Sequence, residues 1–167
     1  EAPAAIPPPD QAATRRAARL AAVQALYQLE QTGASVAEVI AQFEGMPWGG
    51  GDGDPTAGEG PPTGLFRDLV AGTAQSRAHL DTLIGGALAA GWTPDRLSIV
   101  LLAILRAGAF ELSSWPEVPP RATINEYVEL AHDFCGGKEP ALVNAVLDRL
   151  ARDLRPGEMG PPRSPAT

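Results

Sequence analysis

Apolar positions recur along this chain with a helical period from one element to the next, and no segment alternates with the period of a strand. A first helix over 14–31 carries Leu20, Val23, Leu26 and Tyr27 on one face, and Gly33 ends it. Ser35 with Glu38 forms a capping box for a short second helix bearing Val36, Val39, Ile40 and Phe43. The third helix, 65–90, repeats Leu65, Phe66, Leu69, Val70, Leu80, Leu83, Ile84 and Leu88, with Gly91 as its stop. Thr93-Pro94 reads as an N-cap followed by Pro at the first helical position, opening a fourth helix that runs to Leu112. That helix is apolar nearly all round, which places it at the centre of the fold. Prolines at 116, 119 and 120 then break the chain. Thr123 with Glu126 forms a second capping box, for a helix carrying Ile124, Tyr127, Val128, Ala131 and Phe134 that Gly136-Gly137 ends. The last helix runs from Pro140 through Leu142, Val143, Val146, Leu147, Leu150 and Leu154. The expected fold is all-α, a bundle of six to seven helices.

Three stretches depart from this pattern. Residues 1–13 and 156–167 are Pro-rich and almost without large apolar groups, which predicts disordered tails around a helical domain at 14–155. Residues 45–64 hold eight Gly and four Pro in twenty positions and read as a flexible loop between helices. The single cysteine, Cys135, has no internal disulfide partner, so a reducing compartment, the cytoplasm, is expected. The longest apolar run, 97–105, is about half the length a membrane span requires. No membrane contact is expected. The chain opens Glu-Ala-Pro without the basic and apolar regions of a signal peptide.

Charge changes the picture most. The chain carries a formal net charge of -7, yet between Asp10 and Glu30 there is no acidic residue while Arg15, Arg16 and Arg19 fall within five positions. With the helix beginning near Thr14, these cations face the positive end of its dipole, at a cost of about 0.3–1 kcal/mol each. An anion that accepts guanidinium forks, such as a phosphate backbone, would account for that placement; the ordinary alternative is a solvated helix face. The three lie within an arc of about 100°, so all can address one strand. Their neutralisation is expected to leave stability unchanged or slightly raised. The acidic body argues against non-specific nucleic-acid binding, so a local patch aided by a partner is the expected mode.

Catalytic and metal chemistry find little support. His132 and Cys135 are three apart at a helix end, but with His79 the only other histidine and no second cysteine, a zinc set is incomplete. No oxyanion-hole pattern or third member accompanies Cys135. The loop glycines follow no strand and precede no Gly-Lys-Ser/Thr, so they are not a phosphate cradle. No catalytic residue, metal or cofactor is expected. Tyr27 continues the apolar face and serves either core packing or a partner. Leu101, in the apolar fourth helix, belongs more readily to the core.

With the helices placed, five stretches resemble the NusB transcription-antitermination family in the right order: RRAARLAAVQALYQLE, LFRDLVAG, ILRAGAFEL, TINEYVELAHDF and ALVNAVLDRLAR. The resemblance spans roughly 14–155 apart from the Gly/Pro loop. It implies two three-helix subdomains and a non-enzymatic factor that binds boxA, a single-stranded RNA element, together with NusE, a small-subunit ribosomal protein. The complex joins RNA polymerase to suppress premature termination on ribosomal RNA operons. Arg15, Arg16 and Arg19 match the family's RNA-contacting helix start, and Tyr27 a position linked to NusE. Leu101-Leu102 stands where many members carry an acidic–basic pair near the NusE surface, which implies a more apolar contact there. Leu142 replaces an aromatic that would stack on a base. Two other readings are an RNA-binding domain of a ribosomal-RNA cytosine methyltransferase and a purely protein-binding helical adaptor.

Overall fold

A computed structural model describes residues 9–46 and 63–159, and within them every regular element is a helix. In chain order these are α1 (Pro9–Thr32), α2 (Val36–Glu44), α3 (Thr63–Gln75), α4 (Arg77–Ala87), α5 (Ile99–Ser114), α6 (Pro120–Phe134), α7 (Glu139–Leu154) and α8 (Pro156–Met159), with a 3₁₀ turn at Pro94–Arg96. The all-α expectation holds. Helices α1, α2 and α3 pack on one another, as do α5, α6 and α7, giving the two three-helix subdomains. Helix α5 joins them, touching α1, α3 and α4 as well as its own partners.

Local chemistry explains most boundaries. Ser35 accepts a hydrogen bond from the Glu38 amide while the Glu38 carboxylate accepts one from the Ser35 amide, so the first capping box is formed. Gly33 takes φ 67°, the left-handed value that ends α1 without a Cβ penalty. The second capping box does not form. Helix α6 begins three residues earlier, at Pro120, because proline is well suited to a first helical position. Thr123 is thereby drawn into the helix with its hydroxyl buried and unpartnered, and Glu126 turns to another helix. The third helix is broken at Ser76 into α3 and α4. Thr93-Pro94 starts only the 3₁₀ turn; the central helix is capped by Ser98, whose hydroxyl accepts from the Leu101 amide.

Two tail expectations also change. Helix α1 reaches back to Pro9, and 156–159 form α8, with the Met159 side chain 1% exposed. The buried Arg155 guanidinium holds that end by donating to the Val118 and Pro116 carbonyls at 2.7 Å each and to Glu158. Residues 1–8, 160–167 and most of the 45–64 loop lie outside the described residues.

The central helix is buried almost throughout, as its composition required, yet it contains two charges. Arg106 donates to both oxygens of Asp81 on α4 (2.7 and 3.0 Å) and to Glu30 on α1 (3.2 Å). Glu111 is fully buried and is satisfied from α1 and α6. Paired in this way, each charge fixes the register of neighbouring helices and would be costly to orphan. Packing is closest where Gly72 on α3 meets the Phe110 ring: a Cβ there would lie 2.2 Å from the ring Cζ. Gly72→Ala is therefore expected to cost about 1–3 kcal/mol through overpacking, read as a lower thermal midpoint. An unchanged midpoint would mean that the ring swings aside freely.

Candidate nucleic-acid interface

Because α1 begins at Pro9, the three arginines sit in its second and third turns, beyond the reach of the dipole penalty inferred from the sequence. The burial pattern separates them instead. Arg19 lies in the middle of their arc and points at the core, where it is 5% exposed. Its Nε and Nη2 donate to the two Glu111 oxygens at 2.9 and 2.8 Å. The Tyr127 hydroxyl donates to the same carboxylate. Burial opposes the Arg19 charge, but the Glu111 pair outweighs it and holds the guanidinium above its ordinary value. Burial, reinforced by the Glu111 charge, keeps the Tyr127 phenol protonated well above the usual range. Arg19 is thus committed to joining α1, α5 and α6. The signal was in the sequence: Arg19 continues the stripe of Ala22, Val23 and Leu26, and Glu111 is a lone acid in an apolar helix.

Arg15 and Arg16 flank that buried position and face solvent to different degrees. The Arg16 side chain is 64% exposed and donates Nε and Nη2 to Glu126 at 3.1 and 3.0 Å. This hydrogen-bonded pair raises its basicity further. Of five guanidinium donors, three remain available to a second acceptor. Arg15 is half-buried and has no hydrogen-bond or ion-pair partner among the described residues. It borders a groove of about 380 Å³ formed with the start of α3 and the α5–α6 connection. The sequence-based triplet therefore resolves into two cations on the edge of α1 and a third beneath them that braces the helix.

The two partner-contact candidates are also placed differently. Tyr27 is 41% exposed and, with Ile99 and Phe134, lines an open groove of about 530 Å³ where α1 meets the start of α5 and the end of α6. Leu101 is 4% exposed and forms part of the continuous core. It reaches a second groove only as a lining residue, beside Leu142 and the exposed Trp92, over whose ring Arg96 is centred at 5.6 Å. The two grooves meet at Ser98. Tyr27 thus offers area to a partner, whereas Leu101 offers little beyond the shape of the surface. Leu102 is buried as well, so neither replacement of the acidic–basic pair presents a side chain outward.

Among the described residues no three His, Cys, Asp or Glu side chains gather as a metal set. His79 and His132 are exposed, and burial pushes the Cys135 thiol up, away from the thiolate form. No helix of the described residues is long and apolar enough to cross a membrane.

The fold and this surface define an all-helical domain with an open, cation-bearing helix edge beside apolar grooves. A profile of the NusB family matches residues 16–152, and the chain belongs to that family. It is 47% identical over 150 residues to the transcription antitermination protein NusB of Nitrobacter hamburgensis, covering 89% of this chain and 93% of that protein. It is 43% identical over 153 residues to the protein of the same name from Bradyrhizobium sp. strain BTAi1, covering 91% and 90%. T. maritima NusB superposes with a TM-score of 0.70 at 28% identity, over 87% of this chain and 95% of that one. The fold is shared with a chain in a crystal structure of the antitermination factors NusB and NusE in complex with dsRNA, at a TM-score of 0.66 and 22% identity over 84% and 97%.

Proposed function

We propose that this protein is a non-enzymatic, RNA-binding transcription antitermination factor that acts in the cytoplasm. It binds boxA RNA together with NusE and joins RNA polymerase on ribosomal RNA operons. The observation that carries this reading is the match to named antitermination proteins over nearly the whole chain. The alignment takes in 93% of the Nitrobacter protein, which leaves no room in that relative for an α/β methyltransferase domain. The reading assigns Arg15 and Arg16 to the RNA backbone and the Tyr27 groove to NusE. Arg19 serves as the positioning residue beneath them. Supporting the first assignment are the Arg15 guanidinium, unpartnered among the described residues, the spare Arg16 donors and the net charge of -7, which confines attraction for RNA to local patches.

The adaptor reading draws on one observation, the engagement of Arg16 by Glu126. Gel-shift of boxA RNA and a scrambled RNA, with and without NusE, separates the two. Two exposed cations give few phosphate contacts, so weak binding alone and a marked gain in boxA affinity with NusE are expected. Equal affinity for both RNAs, unaltered by NusE, would favour the adaptor.

A further inference from the structure

The groove beside Arg15 is more than a flank of the basic edge. Its walls come from three separate elements: Arg15 on α1, Leu65 and Asp68 at the start of α3, and Trp115 and Glu117 from the α5–α6 connection. The Trp115 indole is held edge-on against the Phe110 ring, with centroids 6.0 Å apart at 74°, so its orientation is fixed before any ligand arrives. Among the described residues, nothing lies within 4 Å of a Cβ placed at Gly64 on one side of the groove. Arg15, Asp68 and Glu117 share this groove, yet none has an ion-pair or hydrogen-bond partner among the described residues. A fixed aromatic, one guanidinium and two carboxylates without partners among the described residues thus border about 380 Å³, with the Glu111-paired Arg19 as a further lining residue.

We propose that this groove seats one nucleobase of a single-stranded RNA and prefers guanine to uracil. The proposal rests on the RNA-binding reading and extends it from backbone attachment to base selection. Two carboxylates repel a phosphate, so the phosphate rests on the Arg15 guanidinium at the rim and the base turns inward. Trp115 supplies a stacking surface, which every base can use and which adds affinity without choosing among them. Asp68 and Glu117 supply the choice. An ionised carboxylate only accepts hydrogen bonds. The N1–H and N2–H donors of guanine lie side by side on one edge and can satisfy both oxygens of one carboxylate. Uracil offers carbonyl oxygens on either side of its single N–H and meets the same carboxylate with repulsion.

The test uses the full chain and two fluorescein-labelled hexaribonucleotides, six uridines and the same strand with one central guanosine, followed by anisotropy. Expected is a preference of roughly tenfold for the guanosine strand, the scale of one good bidentate base contact. The Asp68→Asn/Glu117→Gln double variant should lose that preference while binding the all-uridine strand as well as or better than the parent protein. Both residues are exposed and have no partner among the described residues, so circular dichroism should report an intact fold. Trp115→Leu should weaken both strands alike. Equal affinity of the parent protein for the two strands, or a preference that survives the double variant, would overturn the base seat while leaving backbone attachment in place. Binding of neither strand would overturn the base seat, while the gel-shift of boxA RNA with NusE decides the RNA-binding reading separately.

Discussion

Arg19→Gln is expected to destabilise the protein by about 3–5 kcal/mol, the usual cost of removing one partner of a buried ion pair. The substitution leaves the fully buried Glu111 carboxylate facing only the Tyr127 hydroxyl, and it unties α1 from α5 and α6 together. Against a total stability of about 5–15 kcal/mol for a domain, that loss is large. It should appear as a shift of the urea midpoint without a change in slope. Arg19→Gln combined with Glu111→Gln should recover part of the loss, because the second change removes the orphaned charge. Arg16→Gln provides the contrast: its pair with Glu126 is mostly solvent-exposed and should be worth no more than about 1 kcal/mol. Unaltered stability of Arg19→Gln, accompanied by weaker RNA binding, would return Arg19 to the RNA handle.

The Arg15→Gln/Arg16→Gln variant should do the reverse, losing RNA affinity while remaining folded. Arg15 makes no ion pair among the described residues and Arg16 a single exposed one, so the fold depends little on either. A hydrogen bond to a charged group contributes about 1.5 kcal/mol at the lower end of its range, so two guanidinium–phosphate contacts together correspond to roughly a hundredfold in affinity. Since phosphate contacts position a strand without reading it, the loss should be the same for RNAs of different sequence. Anisotropy titrations alongside thermal unfolding of the same samples check both halves. A loss confined to one sequence would instead point to base contacts.

Helical periodicity made the architecture legible because each helix buries a continuous apolar stripe, and α5 announced its central place by having no polar face. Gly33 and the Ser35–Glu38 box were readable because each acts through its immediate neighbours in sequence. The second capping box failed for the same kind of reason, since Pro120 offered a competing start three residues earlier. The arginine triplet could be counted but not sorted. Whether a cation on a helix faces water or core depends on a partner far away in the chain, and Glu111 lies 92 residues from Arg19. The dipole argument failed because it placed the start of α1 at Thr14, whereas the helix reaches back to Pro9. Leu101 joins the core, as its place in an apolar helix implied, and reaches the second groove only as a lining residue. The groove at Trp115 had no sequence signal, since its walls come from three elements brought together only by the tertiary fold.

The most direct test of RNA attachment through the edge of α1 is the salt dependence of boxA affinity in the presence of NusE. Each phosphate neutralised on a single strand contributes roughly 0.7 to the slope of log affinity against log salt. The Arg15→Gln/Arg16→Gln variant should therefore show a slope shallower than the parent protein by about 1.4, with NusE still bound. Identical slopes and affinities for the two proteins would contradict the account, and the arginines would then be solvated surface on a helical adaptor.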